Sequence, residues 1–294
     1  MISLLSHLMN GLSLGSVYAI IALGYTMVYG IAKMLNFAHG DIIMVGAYIS
    51  YCVMIYLQLP PVVAIIAAVV VCTLLGIVIE GLAYRPLRGT SSLAVLITAI
   101  GVSYFLQNAA QLIWGAAQKT YSSVVSLESL RLFDGQLLIT GEVIVTVLTS
   151  AAVMVALTLF TGKTKMGKAM RAVSEDRDAA QLMGINVNRT ISVTFAIGSA
   201  LAAIAGVLLC SASPALRPTT GAMPGIRAFT AAVFGGIGSI PGAMLGGILL
   251  GVIEELSKGC ISTQFSDAIV FGVLILVLLI KPTGLLGKQV QEKV

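Results

Sequence analysis

VVAIIAAVVVCTLLGIVIEGLA, residues Val62 to Ala83, decides the fold, because this long run contains a single charged residue, Glu80. A helix that crosses a bilayer needs about 20 mostly apolar residues, since the hydrocarbon core is roughly 30 Å thick. Comparable runs lie on both sides: Leu4 to Tyr29, Ile42 to Leu57, Leu93 to Trp114, Val143 to Phe160, Ile191 to Cys210 and Ala268 to Ile280. A further glycine-rich stretch, Ala228 to Ile253, reads as one kinked span or two short ones. The expected fold is an all-α, polytopic integral membrane protein with about 8–10 transmembrane or re-entrant helices. Residues 1–294 form one transmembrane domain, because nothing between the spans is long enough for a soluble one. Composition agrees: 58% of the chain is hydrophobic and 10% charged, against roughly 25% charged in soluble domains.

The net charge of +5 is placed for a membrane rather than for nucleic acid. Lys163, Lys165, Lys168, Arg171, Arg177 and Arg189 share one loop, Arg85 and Arg88 follow the Val62 span, and Lys281, Lys288 and Lys293 lie in the C-terminal tail. Basic residues collect on the cytoplasmic side, so all three segments are expected there. Residues 115–141, with Lys119, Glu128, Arg131 and Asp134, then lie outside. Parity is awkward near the N-terminus, where a re-entrant segment would resolve it; the side of Met1 stays open. No Lys or Arg precedes the first apolar run, so that span lacks a signal peptide's basic region and is expected to be retained. The four cysteines, Cys52, Cys72, Cys210 and Cys260, are widely spaced and suggest neither a disulfide framework nor a metal site.

Two polar interruptions break the apolar pattern. Asn36-Phe37-Ala38-His39-Gly40-Asp41 separates the first two runs, and Gly235-Gly236-Ile237-Gly238-Ser239-Ile240-Pro241-Gly242 divides the late stretch. Glycine and proline disfavour continuous helix, and irregular backbone at membrane depth must line a cavity or be buried in protein. Paired breaks in the two halves of a transporter point to its substrate pathway. Asn36, His39, Asp41, Gly235, Gly236, Gly238, Ser239 and Pro241 are therefore the pathway candidates. The competing reading makes each break a surface turn, with Asp41 capping the next helix. The pairs Gly11/Gly15, Gly242/Gly246 and Gly247/Gly251 each place two glycines on one helix face, which supports close helix packing and leaves room for a partner subunit.

Residues 161–190 change character, with charges alternating among small apolar residues. Ser174 is a good helix N-cap, Glu175 and Asp176 suit the first turn, and Gly184 suits a left-handed C-terminal cap. The helix expected from Ser174 to about Met183 puts Ala179, Leu182 and Met183 on one face. It reads either as a helix lying on lipid headgroups or as a docking element for a cytoplasmic protein.

Asp178-Ala179-Ala180-Gln181-Leu182-Met183-Gly184 resembles the E-A-A-x-x-x-G core of the coupling loop in permeases of bacterial ABC importers, with Asp in place of Glu. The sequence departs from the extended motif at Thr190-Ile191-Ser192-Val193. Gly24-Tyr25-Thr26-Met27-Val28-Tyr29-Gly30, Asn36 to Asp41, Arg85-Pro86-Leu87-Arg88 and Phe234 to Ser239 resemble the branched-chain amino-acid importer permeases, in particular their H-type subunit, over nearly the whole chain. That resemblance implies a permease subunit that moves branched-chain amino acids across the cytoplasmic membrane of a bacterium or archaeon. It implies an M-type permease partner, two cytoplasmic ATP-binding subunits and an extracytoplasmic binding protein. Ser174, Glu175, Asp176, Arg177, Asp178, Ala179, Ala180 and Gly184 would then couple the chain to an ATPase. Urea or short amides are the alternative cargo, and an ion-coupled secondary transporter is the rival machine.

No catalytic residue, cofactor or metal is expected. Gly162-Lys163-Thr164 ends like a phosphate-binding loop, but position 157 is Leu157 and a membrane helix precedes it, so ATP hydrolysis must come from other chains. Only His7 and His39 are available for a Ser/His/Asp arrangement. Ionisable residues within spans are sparse, with Glu80, Glu142 and Asp267 near predicted span ends.

Overall fold

The computed structural model describes residues 2–132 and 137–287. Asp134, Lys288 and Lys293 lie outside the described residues. The chain is an all-α polytopic membrane protein, and among the described residues seven helices are long and apolar enough to cross a membrane. They belong to α1 (Ile2–Ala32), α3 (Pro61–Ile79), α4 (Ser92–Trp114), α5 (Gly141–Lys163), α8 (Val187–Ala212), α10 (Ile240–Cys260) and α11 (Ser266–Ile280). A shorter apolar helix, α2 (His39–Ile55), and the short α9 (Ala222–Gly235) lie among them, and α6 (Lys165–Glu175) and α7 (Arg177–Leu182) occupy the loop between α5 and α8.

Helix α1 runs through the centre, and residues Val17 to Leu23 are all buried. It can be central because its neighbours approach at backbone distance. A Cβ at Gly15 would stand 2.7 Å from the Ile248 Cα, and one at Gly11 2.8 Å from the Val252 Cα. Gly247 and Gly251 return the contact from α10, against Ala19 and Gly15. Gly242 and Gly246 face Gly235 and Ala231 of α9. The glycine faces are thus used inside the chain, so the expectation that they leave room for a partner is corrected.

Chain direction follows from these contacts. Arg177 donates to the carbonyl of Ala32, so the end of α1 lies beside the basic loop, which charge places on the cytoplasmic side. The start of α1 lies at the opposite end, where His7 packs on Gly259. Leu285 and Leu286 donate to Phe234 and Gly235 carbonyls at 2.9 Å, which brings residues 281–287 to the cytoplasmic end.

After α1 the chain does not cross directly. Lys33 takes φ 52°, and residues 33–38 fold back so that the His39 ring lies against Gly24. A Cβ at Gly24 would be 3.3 Å from the carbonyl of Gly198, near the midpoint of α8. Helix α2 therefore begins at mid-depth and runs outward, where Tyr48 stacks on Trp114 at 4.5 Å. This is the re-entrant segment that parity requires.

A second half-helix mirrors the first. Residues 213–221 turn back from the outer end of α8, and α9 starts at mid-depth and runs inward. At the meeting point a Cβ on Gly40 would stand 2.7 Å from the carbonyl oxygen of Gly221. The two half-helices touch backbone to backbone at their N-terminal ends. The late glycine-rich stretch is accordingly neither one kinked span nor two short ones: the short α9 leads into α10, which is long enough to cross the membrane.

The outer end is closed by short strands. β1 (Lys119–Thr120) pairs antiparallel with β4 (Ala215–Leu216), and β2 (Leu130–Leu132) pairs with β3 (Leu137–Ile139). Tyr121 donates its N–H to Pro214 at 3.2 Å, fixing the outer loop to the segment that leads into α9.

Candidate functional site

Two regions carry the candidate residues: the cytoplasmic loop and the mid-depth segment above it. In the loop, the helix expected from Ser174 to Met183 is broken in two. Ser174 and Glu175 end α6, and the Ser174 hydroxyl donates back to Arg171 at 2.7 Å instead of capping a new helix. The cap is Asp176, whose Oδ1 accepts from the N–H groups of Asp178 and Ala179, each at 2.9 Å. A carboxylate at an N-cap offers a charged acceptor facing the helix dipole, and it outcompetes the serine two residues earlier. Gly184 occupies the expected left-handed position, φ 82°. Its N–H donates to Gln181 and that of Ile185 donates to Ala180, both at 3.0 Å, which is the Schellman arrangement.

The apolar face differs from the expected one. Ala180 is buried, whereas Leu182 is 89% and Met183 83% exposed. Helix α7 is thus held by its alanine and presents two large apolar side chains away from the bundle. Beside it, Gln181, Gly184, Ile185 and Asn186 border a surface hollow.

The loop is tied to the membrane part by hydrogen bonds that sequence reasoning did not find. Arg177 bonds the last carbonyl of α1, satisfying an orphan helix-end acceptor. Arg88 bonds both Glu80 and Asn188, and Ser192 donates to the second Glu80 oxygen at 2.5 Å. Glu80 is therefore buried and paired, not a residue at a span end reaching water. Burial pulls the Arg88 guanidinium below its ordinary pKa range, and the Glu80 carboxylate opposes the shift. The residues between form a π-helical turn, Glu80–Tyr84, whose Tyr84 hydroxyl donates to Asn36 Oδ1 at 2.8 Å while its ring packs on Phe195 at 5.2 Å.

Asn36, His39 and Asp41 are all buried, so the first break is not a surface loop. The residue before α2 is Ala38, which makes no side-chain cap, and Asp41 instead accepts from Gln107 of α4 at 2.9 Å. His39 is turned into the bundle against Gly24 and the Tyr25 ring, 4.6 Å away. Gly235, Gly236, Gly238, Ser239 and Pro241 lie apart from this group, at the cytoplasmic end. Gly236 and Gly238 have φ 106° and 95°, and Ser239 caps α10 by accepting from the Gly242 N–H at 3.2 Å. The mid-depth partner of Asn36 to Asp41 is the 213–221 segment, where Gly221 meets Gly40, and it lies between the predicted spans.

An ion network centred on buried Glu254 and reaching out to partly exposed Asp267 holds α9. Arg227 donates to Glu254 at 2.7 Å, to Asp267 at 2.6 Å and to the Tyr18 hydroxyl at 3.1 Å. Lys258 adds contacts to Glu254 at 2.8 Å and Glu255 at 2.7 Å. Intramembrane charge is therefore richer than the sequence suggested. Each such group is costly alone, and removing one partner of a buried pair costs roughly 3–5 kcal/mol.

Between the end of α1 and the start of α4 a cleft of about 730 Å³ opens at the cytoplasmic end, lined by Tyr29, Lys33, Met34, Leu93, Leu96 and Arg177. It lies directly below the 33–38 segment. Arg177 of the basic loop and Lys33 and Met34 at the end of α1 share this cleft, so the loop and the start of the re-entrant segment border the same space.

The chain is similar to known proteins over nearly its full length. The family model for "Branched-chain amino acid transport system / permease component" matches residues 7–278. The high-affinity branched-chain amino acid transport system permease protein LivH of Escherichia coli (strain K12) is 45% identical, covering 99% of this chain and 97% of that one. The corresponding permease protein BraD of Pseudomonas aeruginosa is 46% identical, covering 99% and 98%. Among solved structures, PsaBC from Streptococcus pneumoniae matches 93% of this chain and 91% of that one, with a TM-score of 0.50 and 14% identity, a likeness of fold alone.

Proposed function

We propose a function from one premise: this chain belongs to the family of branched-chain amino acid transport system permease components. It is the permease subunit of an ABC importer for branched-chain amino acids, embedded in the cytoplasmic membrane. Its partners are a second, M-type permease, two cytoplasmic ATP-binding subunits and an extracytoplasmic protein that delivers the substrate. The chain has no hydrolytic role; the ATPases supply the work.

The observation that carries this reading is the form of α7. It is short, capped at both ends, and thrusts Leu182 and Met183 into solvent at the basic end of the molecule. Large apolar side chains that far exposed on a rigid helix fit a groove in another protein. From α7 the Arg177 contact leads to the end of α1, and the Asn188–Arg88–Glu80 and Tyr84–Asn36 contacts lead to the 33–38 segment. Closure of the ATPases would move α7 as a rigid body, shift that segment, and open or close the cleft beneath the half-helix junction.

Replacing Leu182→Asp together with Met183→Asp tests the docking role. Both side chains are exposed, so the permease is expected to insert normally. The ATP-binding subunits are expected to be lost on co-purification, and uptake to fall at least tenfold. Undiminished co-purification and uptake would contradict α7 as the docking element.

A further inference from the structure

Helix α4 carries a polar sector in its outer half, part-buried at Ser103 and Gln107 and exposed at Tyr104, Asn108 and Gln111. Ser103, Tyr104, Gln107, Asn108 and Gln111 belong to it. At about 100° per residue they span roughly 140° of the helix circumference. Tyr104 is 62% exposed, and Asn108 and Gln111 are exposed too. Amides and a phenol on a membrane-crossing helix are costly against lipid and belong beside water or protein.

The inner edge of the sector reaches a buried charge. Gln107 Nε2 donates to Asp41 Oδ1 at 2.9 Å and to Ser103 Oγ at 3.3 Å. Asp41 is 1% exposed, sits in the first turn of α2, and takes part in no salt bridge among the described residues. The partial positive charge of a helix N-terminus favours its anion without neutralising it. The other buried carboxylates within spans, Glu80 and Glu254, each have an arginine. Farther along the same helix, Leu93, Val95 and Leu96 line the cytoplasmic cleft. One helix therefore borders open space at its inner end and shows amides around a carboxylate at its outer end.

We propose that the α4 sector and Asp41 form a transit site for the ammonium group of a zwitterionic amino acid. This rests on the importer reading and deepens it. The ammonium group enters along Tyr104, Asn108 and Gln111, whose polar atoms replace part of its hydration. Gln107 stands between lane and carboxylate, so its amide rotates aside as the cation reaches Asp41. A carboxylate accepts several hydrogen bonds at once, which leaves capacity beyond the one that Gln107 supplies. The aliphatic side chain meets the apolar flank formed by Phe105 and Leu112, 70% and 87% exposed. The site attracts weakly enough to release, since it offers one carboxylate and no enclosing cage.

The test uses the complete importer, with its second permease, ATP-binding subunits and binding protein, reconstituted in vesicles. Asp41→Asn keeps the shape and the acceptor for Gln107, and is expected to lower leucine uptake at least tenfold. Pairing it with Gln107→Glu moves the carboxylate across that 2.9 Å contact, and is expected to restore at least a third of wild-type uptake. A residue needed only for packing would show no such rescue. In parallel, Asn108→Cys is expected to react with a membrane-impermeant cationic thiol reagent above the level of the parent chain. Wild-type uptake by Asp41→Asn, or failure of the rescue, overturns the proposal. A wild-type complex that imports no leucine defeats the importer reading instead, and labelling at position 108 then judges the lane. A silent cysteine there, the outcome if the second permease covers α4, overturns the lane as well.

Discussion

Gly184→Pro is expected to abolish transport while leaving the chain inserted in the membrane. Proline fixes φ near −65°, whereas Gly184 has φ 82°, so the residue cannot occupy its present conformation. It also lacks the N–H that Gly184 donates to Gln181 at 3.0 Å. Both Schellman bonds are lost, α7 unwinds from its C-terminal end, and Leu182 and Met183 lose their fixed direction. None of this touches a membrane span, so membrane extraction and size-exclusion profiles of the isolated permease should match wild type. Gly184→Ala is the control: no atom lies within 4 Å of the added Cβ, and the left-handed conformation costs roughly 1–2 kcal/mol. That variant should retain most of its uptake. Normal uptake by Gly184→Pro would remove the α7 terminus from the mechanism.

Gly221→Val is expected to have the second-largest effect, by separating the two half-helices. The new Cβ would run into the Gly40 carbonyl, and Gly40 in turn has Gly221 and Gly225 against it. Neither partner is a side chain that can rotate away, so the strain reaches the upper end of overpacking penalties, about 3 kcal/mol or more. Uptake should fall below a tenth of wild type, with a lowered midpoint in a detergent thermal-stability assay. Gly272→Val in α11, where no atom lies within 4 Å of the added Cβ, should change neither quantity. If Gly221→Val transported and melted as wild type does, the mid-depth junction would not be part of the working structure.

What the sequence made legible follows from which forces are local. The spans from Leu4 to Ile280 could be read because a lipid-facing helix must be apolar over its own length. The re-entrant first break could be inferred because charge bias on the loops left parity unsatisfied. Depth was harder to read. The 213–221 segment, with Pro214 and Pro218, carries the second mid-depth break, but the glycine run at 235–242 gave the stronger compositional signal. That run is a tight turn at the cytoplasmic end, packed against residues 284–287, a contact that no local pattern encodes. Helix α7 was legible as a change of composition and by its terminal glycine. Its start shifted from Ser174 to Asp176 because the carboxylate is the better cap. The Arg227 network stayed invisible because Tyr18, Glu254 and Asp267 come from three other helices. The polar sector of α4 had a visible signal, three amides among apolar residues at 107, 108 and 111, but its meaning depends on Asp41 lying alongside.

The account is tested most directly by uptake of labelled leucine in cells with and without the gene, with cellular ATP and the proton gradient collapsed separately. It predicts gene-dependent uptake that disappears on ATP depletion and survives collapse of the gradient. Uptake that followed the gradient and ignored ATP would contradict it.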